Sequence, residues 1–387
     1  MKKIFSLLIL LLTVYMSFAQ FPIGHQSLTY NDPARSRDIA NEIYYPAVSA
    51  GNNTNVATGQ FPIIVFGHGF MMGYDAYAYL KDALVPLGYI VAFPTTEGGT
   101  SPVHADFGSD LAFIINKLKT EGGNSASPFY NHVSATSAVM GHSMGGGASF
   151  LACENNTVPT CMITFAAANT TPSSITAAYN VTIPALVISG SVDCVAPATT
   201  NQTPMYDSLA SICKVFLSIN QGCHCYFGDY NFYCTLGEST CLPVPPLDRA
   251  SQEDVTLDFL KLYLDYYLNG NASAWTVFND SLTTSSRITF LKSCPSVGTD
   301  NISFDNLIHV FPNPAEDYFM IELPLVKDVP INISLMNMLG ENIFSCREQS
   351  NNSIFRKEIS TENLPKGFYL MIIEEGHQKF FGKIVKQ

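Results

Sequence analysis

The chain has 387 residues, a net charge of −12, 47% hydrophobic residues and only 13% charged residues. This composition indicates a globular protein of more than one domain and excludes an intrinsically disordered chain. The acidic net charge and the absence of a basic run also exclude nucleic acid as a partner.

The N-terminus has the pattern of an export signal. Lys2 and Lys3 precede an apolar run at residues 4–12, and small Ala19 stands just before Gln20. The run is too short to span a bilayer comfortably, so we predict a signal peptide at residues 1–19. No second stretch of 18 apolar residues follows, and we therefore predict a mature chain without a transmembrane segment.

Strands and helices are predicted to alternate through residues 20–294. Short apolar runs that end at glycine or turn residues are typical of strands buried on both faces of a parallel sheet. The predicted strands are 43–45, 62–66, 89–93, 137–140, 162–166, 185–190 and 215–219. The predicted helices are 74–87, 107–118, 145–153 and 255–268. This alternation predicts an α/β domain with a doubly wound, mostly parallel sheet.

The pattern changes after Cys294. Residues 295–304 are rich in Pro, Gly, Ser and Asp and are interpreted as a linker. Beyond it, helical periodicity gives way to short alternating segments at 319–323, 331–336, 353–359, 369–373 and 379–385, separated by turn residues. Residues 305–387 are therefore predicted to form a small all-β sandwich.

Ser143 is the candidate nucleophile. It lies in Gly141-His142-Ser143-Met144-Gly145, which follows an apolar strand and precedes a predicted helix. A serine on such a strand–turn–helix junction projects its hydroxyl above the edge of the sheet. The alternative is a glycine-rich turn that only closes a βα unit.

A serine nucleophile needs a base and an acid that orients the base, in the chain order serine, acid, histidine for this arrangement. Of the histidines after Ser143, only His224 precedes the β-rich tail, so it is the candidate base. Three carboxylates lie between them: Glu154, Asp193 and Asp207. Asp193 directly follows a predicted strand, whose carboxyl end carries functional groups in parallel sheets, and is the candidate acid. An ordinary loop aspartate and a structural histidine remain the alternatives.

Two backbone N–H groups are predicted to form an oxyanion hole. One belongs to Met144, next to the nucleophile, and the other to Phe70 on the loop after strand 62–66, with Met71 as second choice. Met71 and His142 are also predicted to line the substrate site. The alternative for His142 is that it only fills the variable position of the motif.

Access to the site is predicted to be open, because residues 167–184 are too few to hold a cap domain between two strands. Ten cysteines in an exported chain are disulfide candidates, and they concentrate in the second half of the first domain. Residues 225–249 form a cysteine-bounded aromatic loop after His224, which either grips an apolar group of the substrate or packs its own small core. A zinc site at Cys223-His224-Cys225 is the less favoured alternative, and we predict no metal and no cofactor.

These motifs resemble those of polyester hydrolases, bacterial cutinases and dienelactone-hydrolase-like esterases. Residues 139–147 resemble their nucleophile turn, 66–70 their oxyanion loop, 186–197 their acid loop and 222–224 their Gly-x-His. The resemblance covers roughly residues 36–270 and implies the α/β-hydrolase fold and ester hydrolysis. Polyester hydrolases hold Trp where this chain has His142, and an aromatic residue where Thr171 or Pro172 would stand. Thr171 is accordingly predicted to line the site in place of an aromatic clamp.

The tail has a resemblance of its own. Residues 310–315, 337–340, 364–369 and 382–385 resemble, in order, the motifs of the C-terminal sorting domain of the type IX secretion system. The resemblance implies the type IX machinery as a partner and a secreted or cell-surface location. The alternative, a carbohydrate-binding sandwich, is disfavoured because no Trp follows Trp275.

The sequence as a whole predicts a secreted serine hydrolase that cleaves small or polymeric carboxylic esters through an acyl-enzyme. Hydrolysis of lipid, lactone or peptide bonds on the same triad is the first alternative. A non-catalytic secreted binding protein is the second.

Overall fold

The structure, a computed structural model, describes residues 20–239, 241, 247–295, 309–324, 330–337, 341–349, 354–375 and 378–387. The predicted signal peptide at 1–19 and nearly all of the predicted linker lie outside these residues. The chain divides into two compact units, Met1–Pro295 and Ser296–Gln387.

The described part of the first unit contains a ten-stranded mixed sheet in the spatial order β10-β9-β8-β7-β6-β4-β5-β2-β1-β3. Its strands are β1 Ile23–Asp32, β2 Arg37–Pro46, β3 Gly51–Asn52, β4 Phe61–Gly67, β5 Ile90–Pro94, β6 Val133–His142, β7 Cys161–Phe165, β8 Ala185–Gly190, β9 Lys214–Ile219 and β10 Ile288–Ser293. Neighbours are parallel from β5 through β4, β6, β7 and β8 to β9. Strand β10 pairs antiparallel with β9 at one edge, and β2 pairs antiparallel with β5 towards the other.

Helices cover both faces of this sheet. They are α1 Ala78–Leu84, α2 His104–Gly123, α3 Met144–Cys153, α4 Ser174–Ala178, α5 Gln202–Ser208, α6 Phe232–Glu238, α7 Arg249–Asn269 and α8 Ala272–Thr284. Along β4, Ile63 and Val65 join the core under α2 and α3, while Ile64 and Phe66 join the core under α1, α7 and α8. Side chains of a strand alternate between faces, so a strand buried on both sides is apolar throughout. The α/β prediction is confirmed.

Several elements differ from the sequence prediction. The helix predicted at 74–87 is broken into 3-10 turns at Tyr74–Tyr77 and Val85–Leu87 around α1. Pro86 fits the second break, because proline lacks the N–H that would continue the hydrogen bonding of an α-helix. Strand β1 was not predicted, since most of its side chains are half-buried or exposed and give no apolar run. Helix α8 and strand β10 were not predicted either.

The second unit consists of small antiparallel sheets. One has the order β11-β12-β15 and the other β14-β13-β16-β17. Their bounds are β11 His309–Phe311, β12 Tyr318–Pro324, β13 Pro330–Met336, β14 Asn342–Gln349, β15 Ile354–Ser360, β16 Gly367–Glu375 and β17 Gln378–Lys386. Phe319 and Ile321 from the first sheet share one core with Ile333 and Ile373 from the second. The prediction of a small all-β unit after the α/β domain is confirmed.

No helix among the described residues is long and apolar enough to cross a membrane.

Candidate active site

Ser143 occupies a sharp turn between β6 and α3. Its backbone has φ 54° and ψ −118°, a conformation that L residues rarely adopt and that is held by the surrounding packing. Gly145 permits this packing, because a Cβ there would collide with the backbone of Gly67 at the end of β4. The turn that holds the candidate nucleophile therefore packs closely against the end of β4 and the loop that follows it.

The structure brings Ser143, His224 and Asp193 together. His224 Nε2 lies 2.9 Å from Ser143 Oγ, and His224 Nδ1 lies 2.7 Å from Asp193 Oδ2. The carboxylate accepts from Nδ1–H, so the unprotonated Nε2 faces the serine hydroxyl. His224 and Asp193 are buried, at 2% and 6% exposure, whereas Ser143 is partly accessible. The hydrogen bonds have the lengths that proton transfer from serine requires.

Asp193 is itself fixed by the backbone. Its Oδ1 accepts from the N–H groups of Val195 at 2.9 Å and Ala196 at 2.8 Å. The other two candidate carboxylates lie elsewhere: Asp207 is on α5, and Glu154 accepts from the amide of Asn180. Of the three, only Asp193 reaches His224.

The predicted oxyanion donors flank the serine. Met144 is the first residue of α3, so its N–H has no carbonyl partner within the helix. Phe70 lies on the loop after β4, and its N–H makes no bond to another described backbone group. Both residues line the same cleft as Ser143.

The cleft at Ser143 has a volume of about 340 Å³ and is open to solvent. It is lined by Phe70, Pro102, His104, Ser143, Met144, Ala168, Asn169 and Thr170. Thr171 and Met71 do not line it, contrary to the sequence prediction; Ala168–Thr170 form the wall assigned to Thr171. His104, Asn169 and Pro102 were not predicted, because no motif marks them and His104 precedes the nucleophile in the chain.

His142 does not line the substrate site either, because its ring is fully buried. Its Nε2 donates to the carbonyl of His224 at 3.1 Å, which leaves Nδ1 to accept from Tyr77 Oη at 2.9 Å. The N–H of Gly69 donates to the same Tyr77 oxygen at 2.8 Å. Burial, and then the neighbouring His224, hold the pKa of His142 well below its usual value. A neutral His142 thus connects the nucleophile turn, the oxyanion loop and the base loop.

Two disulfides are formed by the cysteines that directly follow Asp193 and His224 in the chain. Cys194, next to Asp193, bonds Cys241, and Cys225, next to His224, bonds Cys234. A third disulfide joins Cys213 to Cys294 across β9 and β10. The disulfide prediction for this half of the domain is confirmed. The remaining cysteines are free thiols: Cys153, Cys161, Cys223 and Cys346.

Helix α6, enclosed by these disulfides, also contacts the base loop through a carboxylate. Glu238 Oε1 accepts from the N–H of His224 at 2.8 Å and of Cys225 at 3.2 Å. Because Cys225 is in a disulfide, its sulfur is not available as a ligand for the zinc site considered at Cys223-His224-Cys225. The described residues contain no cluster suited to hold a metal ion.

The aromatic loop follows neither expected arrangement alone. Phe227 is buried and stacks on Phe165 with centroids 5.7 Å apart, and Tyr226 lies 4.5 Å beneath the Arg249 guanidinium. Tyr230 and Phe232 are instead 70% and 60% exposed. None of the loop's rings lines the cleft at Ser143.

Comparison with known proteins finds two family matches. A PET hydrolase-like family model matches residues 35–238, and a secretion system C-terminal sorting domain matches residues 309–387.

The chain is also similar, over part of its length, to curated proteins. Cutinase est1 of Thermobifida alba is 28% identical over 187 residues, which is 47% of this chain and 56% of that protein. A bis(hydroxyethyl) terephthalate hydrolase of Streptomyces coelicolor is 28% identical over 184 residues, 47% of this chain and 54% of that protein. Cutinase 1 of Thermobifida cellulosilytica is 38% identical over 90 residues, 22% of this chain and 32% of that protein. The chain thus spans little more than half the length of the first two relatives.

Proposed function

Because this chain belongs to the PET hydrolase-like family, we propose that it is a serine hydrolase that cleaves carboxylic esters through an acyl-enzyme. The observation that carries the proposal is the hydrogen-bonded series from Ser143 Oγ through His224 to Asp193 at an open cleft. Its sorting domain implies secretion through the type IX system.

The proposed reaction begins when Ser143 Oγ attacks the ester carbonyl while His224 Nε2 accepts the hydroxyl proton. His224 then donates that proton to the departing alcohol, which leaves an acyl group on Ser143. A water molecule gives a proton to Nε2 and attacks the acyl carbon, and the returning proton restores the Ser143 hydroxyl as the acid departs. Asp193 holds the ring and stabilises its cationic state.

The negative charge on the carbonyl oxygen needs stabilisation in each tetrahedral intermediate. We assign this to the N–H groups of Met144 and Phe70, which flank Ser143 and lack partners within the described backbone. Removing one such donor elsewhere costs about 100- to 1,000-fold in rate. Both N–H groups belong to the backbone, so their position depends on the turn geometry rather than on side-chain identity.

The substrate range that we propose runs from short soluble esters to aromatic diesters such as the bis(hydroxyethyl) terephthalate in the name of one relative, and to polymeric esters. The open cleft supports access for an extended chain. Ala168 and Asn169 give its wall a small and polar character, so a flat ring would meet no tryptophan clamp.

The decisive variant is Ser143→Ala. We expect it to reduce kcat/KM for p-nitrophenyl butyrate by at least about 10⁴-fold, because the nucleophile is lost. An organophosphate should label Ser143 in the native protein, as peptide mass mapping would detect.

Ser109→Ala, on the exposed face of α2, is the matched control and should hydrolyse the ester normally. Full turnover by the Ser143 variant would refute the proposal. A native protein that binds esters without turning them over would favour a binding protein. Faster cleavage of amides than of matched esters would favour peptide bonds as the substrate.

A further inference from the structure

The cleft at Ser143 combines apolar and polar lining. Phe70, Pro102, Met144 and Ala168 contribute apolar surface, whereas His104 and Asn169 contribute polar side chains. His104 opens α2, and Asn169 lies on the loop after β7. Neither residue belongs to the catalytic series, so their polar groups have no assigned task there.

The proton of the His104 ring is fixed by a backbone contact. The N–H of Thr171 donates to His104 Nδ1 at 3.1 Å. A nitrogen that accepts a hydrogen bond carries no proton, so in the neutral ring the proton is on Nε2. Within the described part of the chain, Nε2 makes no hydrogen bond and is an available donor.

Asn169 is oriented in a similar way. Its Oδ1 accepts from the hydroxyls of Ser173 at 3.0 Å and Ser174 at 3.2 Å, which directs the amide nitrogen elsewhere. Thr170 differs, because its hydroxyl donates to the carbonyl of Pro172 at 2.6 Å. Among the side chains of the lining residues, His104 Nε2 and Asn169 Nδ2 are therefore the N–H groups that make no hydrogen bond within the described part of the chain.

We propose that His104 is a specificity-determining residue, whose Nε2–H donates to an oxygen acceptor on the acyl group of the ester. The substrate class is then esters whose acyl chain carries a further carbonyl or ether oxygen, in preference to plain alkanoyl esters. This inference rests on the proposed function and concerns the same site.

The preference follows from the cost of burying an unpaired donor. A hydrocarbon chain in the cleft would cover Phe70 and Pro102 but would also strip water from His104 Nε2 without replacing it. An oxygen at that point restores the hydrogen bond. Sites built to donate a hydrogen bond discriminate more sharply than apolar pockets do.

The test compares p-nitrophenyl hexanoate with its 4-oxo and 5-oxo derivatives, which exchange one methylene for a carbonyl. We expect kcat/KM of the native protein to favour an oxo ester by about three- to tenfold, the range of one net hydrogen bond. His104→Asn retains an acceptor near Thr171 but lacks the distal donor, so the ratio of oxo to alkyl kcat/KM should fall towards one. His104→Gln supplies an amide N–H near the position of Nε2 and should recover part of the ratio.

His132→Asn is the matched control, because His132 contacts Gly59 far from the cleft and its variant should keep the native ratio. A native ratio near one would overturn the inference, and so would an unchanged ratio in His104→Asn. Either result leaves the proposed hydrolysis intact, since that is judged separately by loss of p-nitrophenyl hexanoate turnover in Ser143→Ala.

Discussion

Glu253 on α7 is a carboxyl group with an unfavourable environment. Its Oε1 is buried without a hydrogen-bond partner. Burial first, and then the charge of Asp229, raise the pKa of Glu253 from 4.5 to about 7, while Arg249 offsets part of the shift. The folded protein thus favours the protonated carboxyl.

The raised pKa predicts how stability depends on pH. Protonated Glu253 contributes stability fully below pH 4.5, the unfolded value, and this contribution is lost as pH rises through about 7. The difference in free energy of unfolding between Glu253→Gln and the native protein should therefore change in favour of the variant as pH rises from 5 to 8. The change should be on the order of 1 kcal/mol after allowance for solvent screening. Urea unfolding at both pH values measures this gain. Asp82→Asn, at an exposed carboxylate, is the control; equal gains for both variants would contradict the assignment.

At the scale of elements, α6 is held by its connections rather than by a core. Residues Phe232–Glu238 include no buried side chain, and a seven-residue helix is not stable alone in water. Disulfides at Cys234 and Cys241 fasten the segment to the residues that follow His224 and Asp193. Glu238 is thereby kept against the base loop, and we expect it to act there as a positioning residue.

Glu238 allows this role to be tested. Glu238→Ala leaves the N–H groups of His224 and Cys225 without their acceptor, which costs about 1–3 kcal/mol of folding free energy for an unsatisfied group. Because the base loop is then less firmly positioned, we expect kcat to fall roughly tenfold. Glu238→Gln keeps an acceptor oxygen and should recover most of the loss. Steady-state kinetics should place the change in kcat rather than KM. Equal activity of the Ala, Gln and native proteins would exclude positioning by this carboxylate.

The connected loops also explain the role of His142. The residue beside the nucleophile is buried between Tyr77 and the backbone of His224, and so it supports the catalytic geometry from below. Its burial keeps it neutral, which avoids a second cation beside His224.

At the scale of the whole molecule, the two units have separate hydrophobic cores. The cores on either face of the large sheet draw their residues from positions up to Cys294, and the core of the β-rich unit begins at Val310. Cys294, bonded to Cys213, closes the first unit covalently. Each unit therefore has a hydrophobic core of its own, as a domain that folds independently requires.

This arrangement predicts the outcome of truncation. Residues 20–295 should fold and hydrolyse p-nitrophenyl butyrate with a kcat/KM within about twofold of the longer chain, because no part of the triad or its cores is removed. A chain of residues 1–295, which keeps the predicted signal peptide, should be retained by a cell with a type IX system, since the sorting domain is gone.

Cys294→Ser in the longer chain is the control for covalent closure. It should lower the free energy of unfolding by about 4 kcal/mol, from the loop of some 80 residues that the disulfide closes. A truncated protein that aggregates or is inactive would contradict the independence of the first unit.

The sequence by itself determined the mostly parallel sheet and selected Ser143, Asp193 and His224, which the structure brings together. Runs such as β4 and β8 are apolar throughout because both faces are buried, and chain order leaves His224 as the one histidine after Ser143 within the domain. These signals lie in short segments or in the order of residues along the chain, so a single sequence is enough to recognise them. Only the tertiary structure decided which cysteines pair, that His142 lies beneath the site, and that His104 and Asn169 line the cleft. The physical reason is that contacts such as those of Cys194 with Cys241 and of His104 with Thr171 depend on how loops pack above the sheet, and no periodicity along the chain records that packing.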